Sequence, residues 1–181
     1  MLQAIPVAAQ QILYDNGRDP GNIYGWPISN GYRVSNSFLL NAPSIISALN
    51  VSLYDVNVYN DPVMLDWKIL RSPSGPVIAQ GTNAALQRIE GPDVNYFLFN
   101  QWFMQFQVPP LPLSAGTYWL ELSNAANHWG TATFWGENNG PSRAFFSGGV
   151  GGKWKHGGHD EGGSESFQVI GSPNLSAYCR R

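Results

Sequence analysis

The chain has 181 residues, which is enough for one sizeable core and short for two, so we expect a single domain. Only 12% of the residues are charged, against roughly 25% in soluble domains, and the 10 basic and 12 acidic residues leave a formal charge of −2. A chain with this charge has no excess of basic residues with which to bind nucleic acids or anionic membranes, so we expect no nucleic-acid partner and no membrane insertion.

The composition also indicates the fold class. The chain contains 20 Gly and 13 Pro together with 7 Trp, 8 Tyr and 9 Phe, which favours short strands joined by tight turns over helices. A single cysteine, Cys179, provides no internal disulfide framework and no cysteine-based metal site.

Segments with a period of two recur along the chain between turn signals. The clearest covers residues 117–122, in which Tyr118, Leu120 and Leu122 share one face while Trp119 points to the other, and the burial of Trp119 stays open. The other segments, in chain order, are residues 12–14, 35–40, 47–54, 65–70, 77–79, 101–108, 131–135, 144–146 and 166–170. We therefore expect an all-β, antiparallel β-sandwich, jelly-roll-like, with eight or nine strands.

Three stretches are expected to lie outside the strands. Residues 81–91 have the composition of a loop or a brief helix. Residues 109–112, Pro-Pro-Leu-Pro, should end strand pairing because proline cannot donate to a ladder. Residues 147–163 contain eight glycines and should form a long, flexible, exposed loop.

The two ends of the chain are treated as separate segments. Residues 1–11 carry neither a basic segment nor a long apolar run, so they match neither a signal peptide nor a membrane span. The chain is then either cytosolic or a mature form with an added Met, and the low charge favours the second. We expect an extended N-terminal arm at 1–11, a sandwich domain at 12–171 and a C-terminal tail at 172–181. The apolar arm could add as a strand to a neighbour's sheet edge.

Several short segments occur in the order found in one family of secreted bacterial proteins. They are Ile-Leu-Tyr-Asp-Asn-Gly at 12–17, Ser-Phe-Leu-Leu at 37–40, Leu-Ser-Ala-Gly-Thr-Tyr-Trp-Leu at 113–120, Phe-Trp at 134–135 and Ser-Phe-Gln-Val-Ile-Gly at 166–171. Over residues 12–171 the chain resembles the extracellular domain of PEP-CTERM-type sorted proteins.

This resemblance implies an exported jelly-roll sandwich with a surface, matrix or binding role, and it carries no catalytic residues over to this chain. In that family the domain is usually followed by a Pro-Glu-Pro signal, an apolar anchor helix and a basic tail. The ten residues after Gly171 contain neither Pro-Glu-Pro nor an apolar helix.

Two loops have residue types that suit metal ions. His156, His159 and Asp160 could supply imidazoles and a carboxylate to zinc or copper, although the flanking glycines favour a solvated loop. Asp15, Asn16 and Asp19 could supply oxygens to calcium. The competing interpretation of this second loop, which the spacing favours, is that these side chains cap their own turns. Calcium and a transition metal are thus the cofactors that the sequence leaves open.

Aromatic residues beside polar ones suit carbohydrate, because the ring stacks on the C–H face of a sugar while polar neighbours bond its hydroxyls. The candidate glycan-binding residues are Trp129, Trp135, Trp154, Glu137 and Asn138. The alternative is that Trp129 and Trp135 are buried anchors, which is the usual state of Trp. Trp154, in the glycine-rich loop, is the ring that we most expect to be exposed.

No catalytic motif stands out. Gly-x-Ser-x-Gly is absent and the only cysteine lies in the tail, so we expect that the protein is not an enzyme. We expect an exported bacterial module, surface-associated, with a matrix or adhesive role. Two alternatives remain: a carbohydrate-binding module that uses exposed Trp, and a subunit that self-assembles by strand addition. The corresponding partners are a polysaccharide, another surface protein or a second copy of the chain.

Overall fold

The computed structural model describes residues 9–21, 25–55, 61–94, 99–148, 154–156 and 163–174. These residues form fourteen strands and no helix. The strands are β1 (Gln11–Asp15), β2 (Gly25–Pro27), β3 (Arg33–Leu40), β4 (Ser44–Asp55), β5 (Pro62–Leu70), β6 (Val77–Ala85), β7 (Gln87–Val94), β8 (Asn100–Leu113), β9 (Gly116–Asn127), β10 (Thr133–Asn138), β11 (Ala144–Ser147), β12 (Trp154–His156), β13 (Ser164–Glu165) and β14 (Phe167–Pro173). The prediction of an all-β antiparallel sandwich is confirmed, with more strands than the eight or nine expected.

The first sheet is built around β4. Strand β8 pairs with β4 along its whole length, and β14 and β10 share the other side of β4. Strands β7 and β1 lie outside β8 and β14, while β2 and β13 pair with β10. The second sheet has the order β12-β11-β3-β9-β5-β6. Within the described part of the chain, no helix is long and apolar enough to cross a membrane.

The core lies between the two sheets and follows the alternation of the strands. On β9, Tyr118, Leu120 and Leu122 are fully buried, as the period of two predicts. On β4 the residues that face them across the sandwich are Leu49, Val51 and Leu53, which are also fully buried. Burying each such side chain contributes on the order of 1.5–3 kcal/mol, so the stability of the fold rests mainly on these two faces.

The prediction that residues 109–112 end strand pairing is wrong. Strand β8 continues through them, and Pro112 pairs with Ile45 of β4. The register between β4 and β8 shifts between Ile46 and Ala48, and Pro109 and Pro110 fall in this irregularity. Strand β7 pairs with β8 only as far as Gln105, so these prolines need no donor toward a second neighbour.

The prediction of a loop or helix at residues 81–91 is also wrong, because β6 and β7 occupy most of this stretch. Both strands pair on one side only in the described part of the chain. Most of their side chains are exposed, so the apolar alternation of a half-buried strand is missing. Asn83, with a φ of 51°, marks an irregularity in β6 that hides the period further.

The glycine-rich segment is not a loop throughout. Residues Trp154–His156 form β12, whose backbone pairs with β11 from Phe145 to Ser147. Strand β1 begins at Gln11, and β14 ends at Pro173. Residues 1–8 and 175–181 lie outside the described chain, so the arm and most of the tail stay predictions.

Candidate functional site

The turn after β9 presents an indole ring to solvent. Trp129 is 68% exposed, the highest value among the large apolar side chains of the described residues. His128 and Gly130 on either side are exposed as well, and Gly130 has a φ of 68°, which a residue with a side chain rarely adopts. The chain therefore reverses direction at this point with Trp129 at the outside of the bend.

A buried polar network holds this turn in place. Asn127 is 8% exposed, and its Oδ1 accepts from the backbone amides of Trp129 and Thr131, each at 3.1 Å. Its Nδ2 donates to Thr131 O at 3.0 Å and to the carboxylate of Asp55, which is fully buried in β4. Thr131 Oγ1 donates to Asp55 Oδ1 at 2.6 Å. These bonds tie the exposed ring to the central strand of the first sheet.

Trp135, one of the candidate glycan-binding residues, is not available to stack on a sugar. Trp135 is fully buried in β10, and its Nε1 donates to Ser166 O at 2.9 Å. Its ring packs edge-on against Phe167 at a centroid distance of 5.7 Å. It is a core anchor, which is the alternative that the frequent burial of Trp suggests.

Asn138 does not extend the surface around Trp129. Asn138 Nδ2 donates to Gly17 O at 3.0 Å, and its Oδ1 accepts from Gly140 N at 3.0 Å, so this amide holds two turns together. The backbone of Trp154 belongs to β12, but the structure does not describe its side chain. The prediction for Trp154 therefore stays a prediction.

Glu137 lies in a buried acidic pair instead of beside an exposed ring. Glu137 of β10 is directly opposite Glu165 of β13. Glu165 is fully buried, and neither of its carboxyl oxygens has a hydrogen-bond partner among the described residues. Burial, followed by the charges of Glu137 and Asp19, raises the pKa of Glu165 well above its usual range. Both causes favour the protonated, neutral form of this carboxyl group.

Tyr54 and Asp19 complete this buried acidic cluster, which we define as Asp19, Tyr54, Glu137 and Glu165. Tyr54 is 3% exposed, and its hydroxyl has no hydrogen-bond partner among the described residues. Burial and then the charges of Asp19, Glu165 and Glu137 raise the pKa of Tyr54. A Cβ on Gly136 would clash with Asp19 Oδ2 and lie 3.1 Å from the Tyr54 ring, so a side chain at this position would have to displace Asp19.

The three residues predicted to bind calcium have separate roles. Asp15 caps its own turn, accepting from Gly17 N at 2.8 Å, and it also accepts from Gln168 Nε2 at 3.0 Å. Asn16 is 1% exposed and donates to two buried serines, Ser142 at 2.7 Å and Ser164 at 2.6 Å. Asp19 belongs to the buried acidic cluster. Asp15 and Asp19, which accepts from Gly21 N at 2.9 Å, thus cap their own turns as the alternative predicts, whereas Asn16 joins distant segments.

The histidine-based metal prediction falls largely outside the described chain. His159 and Asp160 are not described, and His156 is described only through the backbone of β12. Among the described residues, no group of three or more His, Cys, Asp or Glu could hold a metal ion.

A cavity on the outer face of the second sheet was not predicted. It has a volume of about 370 Å³ and opens between β3, β5, β9 and the turn that joins β5 to β6. Its lining residues are Arg33, Lys68, Leu70, Ser74, Gly75, Val77 and Glu121. Lys68 Nζ lies 2.7 Å from Glu121 Oε1. The only sequence signal for it was Glu121 on the outer face of β9; the partners come from other strands.

Trp119 is half-buried on this same outer face, beside the cavity. It contacts Phe145 of β11 edge-on at a centroid distance of 5.4 Å. Trp119 precedes Glu121 by two residues on β9, so their side chains point in the same direction. The sequence left the burial of Trp119 open, and in the structure Trp119 is half-buried and contacts an aromatic ring on the other side of β3.

No protein-family model matches this sequence, and neither does any curated protein sequence. The resemblance of residues 12–171 to PEP-CTERM-type sorted proteins therefore stays a prediction.

Proposed function

We propose that the protein is a non-catalytic binding module of the bacterial cell surface or extracellular matrix, and that it holds carbohydrate on the indole of Trp129. The observation that carries this proposal is that the Trp129 side chain is 68% exposed on a turn whose backbone amides are hydrogen-bonded by the buried Asn127. An exposed apolar side chain alone is common on protein surfaces. A buried network that fixes such a side chain at the tip of a turn is a feature of a binding platform.

Carbohydrate suits this platform for two physical reasons. The flat face of an indole matches the C–H face of a pyranose ring, and the exposed His128 next to it can donate to or accept from sugar hydroxyls. Because the turn is already ordered by Asn127 and Thr131, binding costs little loop entropy. One ring gives a weak single contact, which an adhesive protein compensates by presenting many copies along a polymer.

The buried acidic cluster supports a role without catalysis. Among the described strands, Glu137 and Glu165 are the only two carboxyl residues that lie directly opposite each other. Glu165 is fully buried. A glycoside hydrolase needs both of its carboxyl groups at the sugar. We therefore propose that this module binds its ligand without cleaving it, and that export places it where polysaccharides occur.

Electrophoresis through native gels that contain soluble polysaccharides tests this function. We expect xylan, mixed-linkage β-glucan or mannan to retard the wild-type protein, and Trp129→Ala to migrate as in a gel without polysaccharide. Removing an anchoring Trp costs about 2 kcal/mol, or roughly thirtyfold in affinity. Tyr32→Ala is the matched control, since Tyr32 is an aromatic residue that is 38% exposed elsewhere on the surface. Retardation that survives Trp129→Ala, or no retardation in any gel, would refute the proposal.

Self-assembly by strand addition is the second candidate. Strand β1 pairs only with β14 among the described strands, and Ile12 on it is 52% exposed. An exposed edge of this kind can accept a strand from another chain. Analytical ultracentrifugation at rising concentration, with the full chain and with residues 1–8 removed, tests this candidate. A monomer under both conditions would exclude it.

A further inference from the structure

An ion pair with spare hydrogen-bonding capacity lies at the cavity on the outer face of the second sheet. Glu121 of β9 lies opposite Lys68 of β5, and Lys68 Nζ donates to Glu121 Oε1 at 2.7 Å. Glu121 points away from the core because Leu120 and Leu122, which alternate with it, are fully buried inside the sandwich. The Glu121 side chain is only 4% exposed, while the Lys68 side chain keeps 32% of its surface in solvent.

The ion pair uses only part of the hydrogen-bonding capacity of its two groups. A lysine ammonium has three donors, and a carboxylate accepts on both of its oxygens. The contact between Lys68 and Glu121 occupies one donor and one oxygen, and the described residues donate no hydrogen bond to Glu121 Oε2. A nearly buried carboxylate oxygen gains free energy from a donor that enters the cavity. The cavity therefore presents a charged acceptor and a charged donor side by side.

The charges at the cavity favour a neutral ligand with hydroxyl groups. The pair of Lys68 and Glu121 has no net charge, and neither group has to release the other in order to bond a ligand. Arg33 also lines the cavity, but it has an interaction of its own within the chain, so we assign no ligand contact to it. A hydroxyl group both donates and accepts, so two neighbouring hydroxyls match an acceptor that lies beside a donor.

The other walls limit the size of the ligand. Leu70 is buried at the base, and Val77, which pairs with it across β5 and β6, is 48% exposed at the rim. Ser74 is exposed on the turn between these strands, which is closed by the bond from Arg71 N to Pro76 O at 3.2 Å. The volume of about 370 Å³ is at the lower end of the range for small-molecule sites, so the cavity suits one sugar ring rather than several.

We propose that this cavity binds one neutral sugar ring at the end of a polysaccharide chain, through two neighbouring hydroxyl groups. One hydroxyl donates to Glu121 Oε2 and the next accepts from Lys68 Nζ. Ser74 bonds a third hydroxyl, and the C–H face of the ring packs on Val77. A terminal ring fits better than an interior one, because an interior ring continues into its neighbours on both sides. This binding rests on the proposed function for its ligand class, carbohydrate, but it uses a different surface and does not require Trp129.

NMR titration of the nitrogen-15-labelled full chain with the methyl glycosides of glucose, galactose, mannose and xylose tests the inference. Each probe is a single neutral ring with neighbouring hydroxyls, and its methyl group stands where the rest of a polysaccharide chain would begin. We expect at least one glycoside to give saturable shifts of the backbone amide signals of residues 68–77 and 119–123. Shifts confined to residues 127–131, or no saturable shift with any of these glycosides, would overturn the inference.

Variants locate the contacts within the cavity. The double variant Lys68→Met with Glu121→Gln removes both charges without leaving a buried carboxylate alone, and it should weaken glycoside binding roughly tenfold to a hundredfold. Ser74→Ala, on an exposed turn, should weaken it roughly twofold to tenfold and tests the site even if the double variant is unfolded.

The matched control is Arg88→Met with Asp61→Asn, which removes an exposed ion pair in another part of the surface and should change nothing. Unchanged affinity in the folded double variant, or in Ser74→Ala if the double variant is unfolded, would contradict the assignment.

The failures of the two proposals are distinguishable. Trp129→Ala should leave the shifts caused by the glycosides unchanged. The double variant at Lys68 and Glu121 should leave retardation by polysaccharides unchanged, because a long polymer has few chain ends. Glycoside binding that disappears with Trp129→Ala would place the sugar on the turn and overturn the inference for this cavity.

Discussion

Replacing Glu165 by glutamine should make the protein more stable at neutral pH, and the gain should grow with pH. An ordinary glutamate loses its proton near pH 4.5, whereas burial and the charges of Glu137 and Asp19 raise the pKa of Glu165 in the folded protein. Above that ordinary value the unfolded chain has released a proton that the folded chain still holds. Raising the pH therefore favours unfolding until the carboxyl group of Glu165 ionises in the folded protein. The contribution of Glu165 to the free energy of unfolding is most favourable below about pH 4.5.

The magnitude follows from linkage. One proton held only by the folded state changes the free energy of unfolding by about 1.4 kcal/mol per pH unit. A glutamine side chain in place of Glu165 has nearly the same shape and no proton to lose. The difference in unfolding free energy between wild type and Glu165→Gln should therefore grow with pH above about 4.5, by at most about 1.4 kcal/mol per pH unit, until the folded carboxyl group ionises. For a chain of this size, each pH unit in that range corresponds to at most roughly 3–6 °C in Tm.

Urea unfolding of both proteins at about pH 5.5, 6.5 and 7.5 measures this difference directly. All other titrating groups are shared, so their contributions cancel in the comparison. Glu137→Gln is the matched control: burial is the largest cause of the shift at Glu165, so most of the pH dependence should remain in that variant. A difference in unfolding free energy between wild type and Glu165→Gln that stays constant over this pH range would refute the raised pKa of Glu165.

Four further substitutions test the fold and the turn. Tyr118→Ala should lower the free energy of unfolding by on the order of 3 kcal/mol, since Tyr118 is fully buried. Tyr118→Phe should lower it by about 1 kcal/mol because the hydrogen bond from the Tyr118 hydroxyl to Ser114 O, at 3.0 Å, is lost. Urea unfolding measures both changes, and a wild-type unfolding curve for Tyr118→Ala would contradict the burial of Tyr118. Gly136→Ala should cost about 1–3 kcal/mol because a Cβ there meets Asp19, and an unchanged melting curve would show that this approach is looser than described. Asn127→Ala should weaken polysaccharide binding by loosening the turn while Trp129 stays in place, and full binding would show that the network is dispensable.

The sequence predicts the inner faces of the sandwich because side-chain alternation is local. Tyr118, Leu120 and Leu122 are buried as their period indicates. Alternation fails where a strand lies at an edge or contains a bulge, as in β6, β7 and the proline-rich end of β8. Among the described strands, these segments pair on one side only, so their side chains do not alternate between buried and exposed and a proline can lie within the strand.

The candidate sites depend on contacts between distant segments, which the sequence does not reveal. Trp129 and Trp135 both lie near turns and polar residues, yet one is 68% exposed and the other fully buried, because Trp135 faces inward on β10 and Trp129 lies beyond the end of β9. The pairing of Glu137 with Glu165 requires the register of β10 and β13. The outer cavity is likewise lined by side chains from several strands, which only the fold brings together.

The central claim is that Trp129 is a carbohydrate platform, and the retardation of wild-type and Trp129→Ala protein in polysaccharide gels tests it most directly. The account predicts that at least one neutral polysaccharide retards the wild-type protein and that Trp129→Ala loses this retardation while keeping the wild-type Tm, since the side chain is 68% exposed. Equal migration of the two proteins in every gel would contradict it.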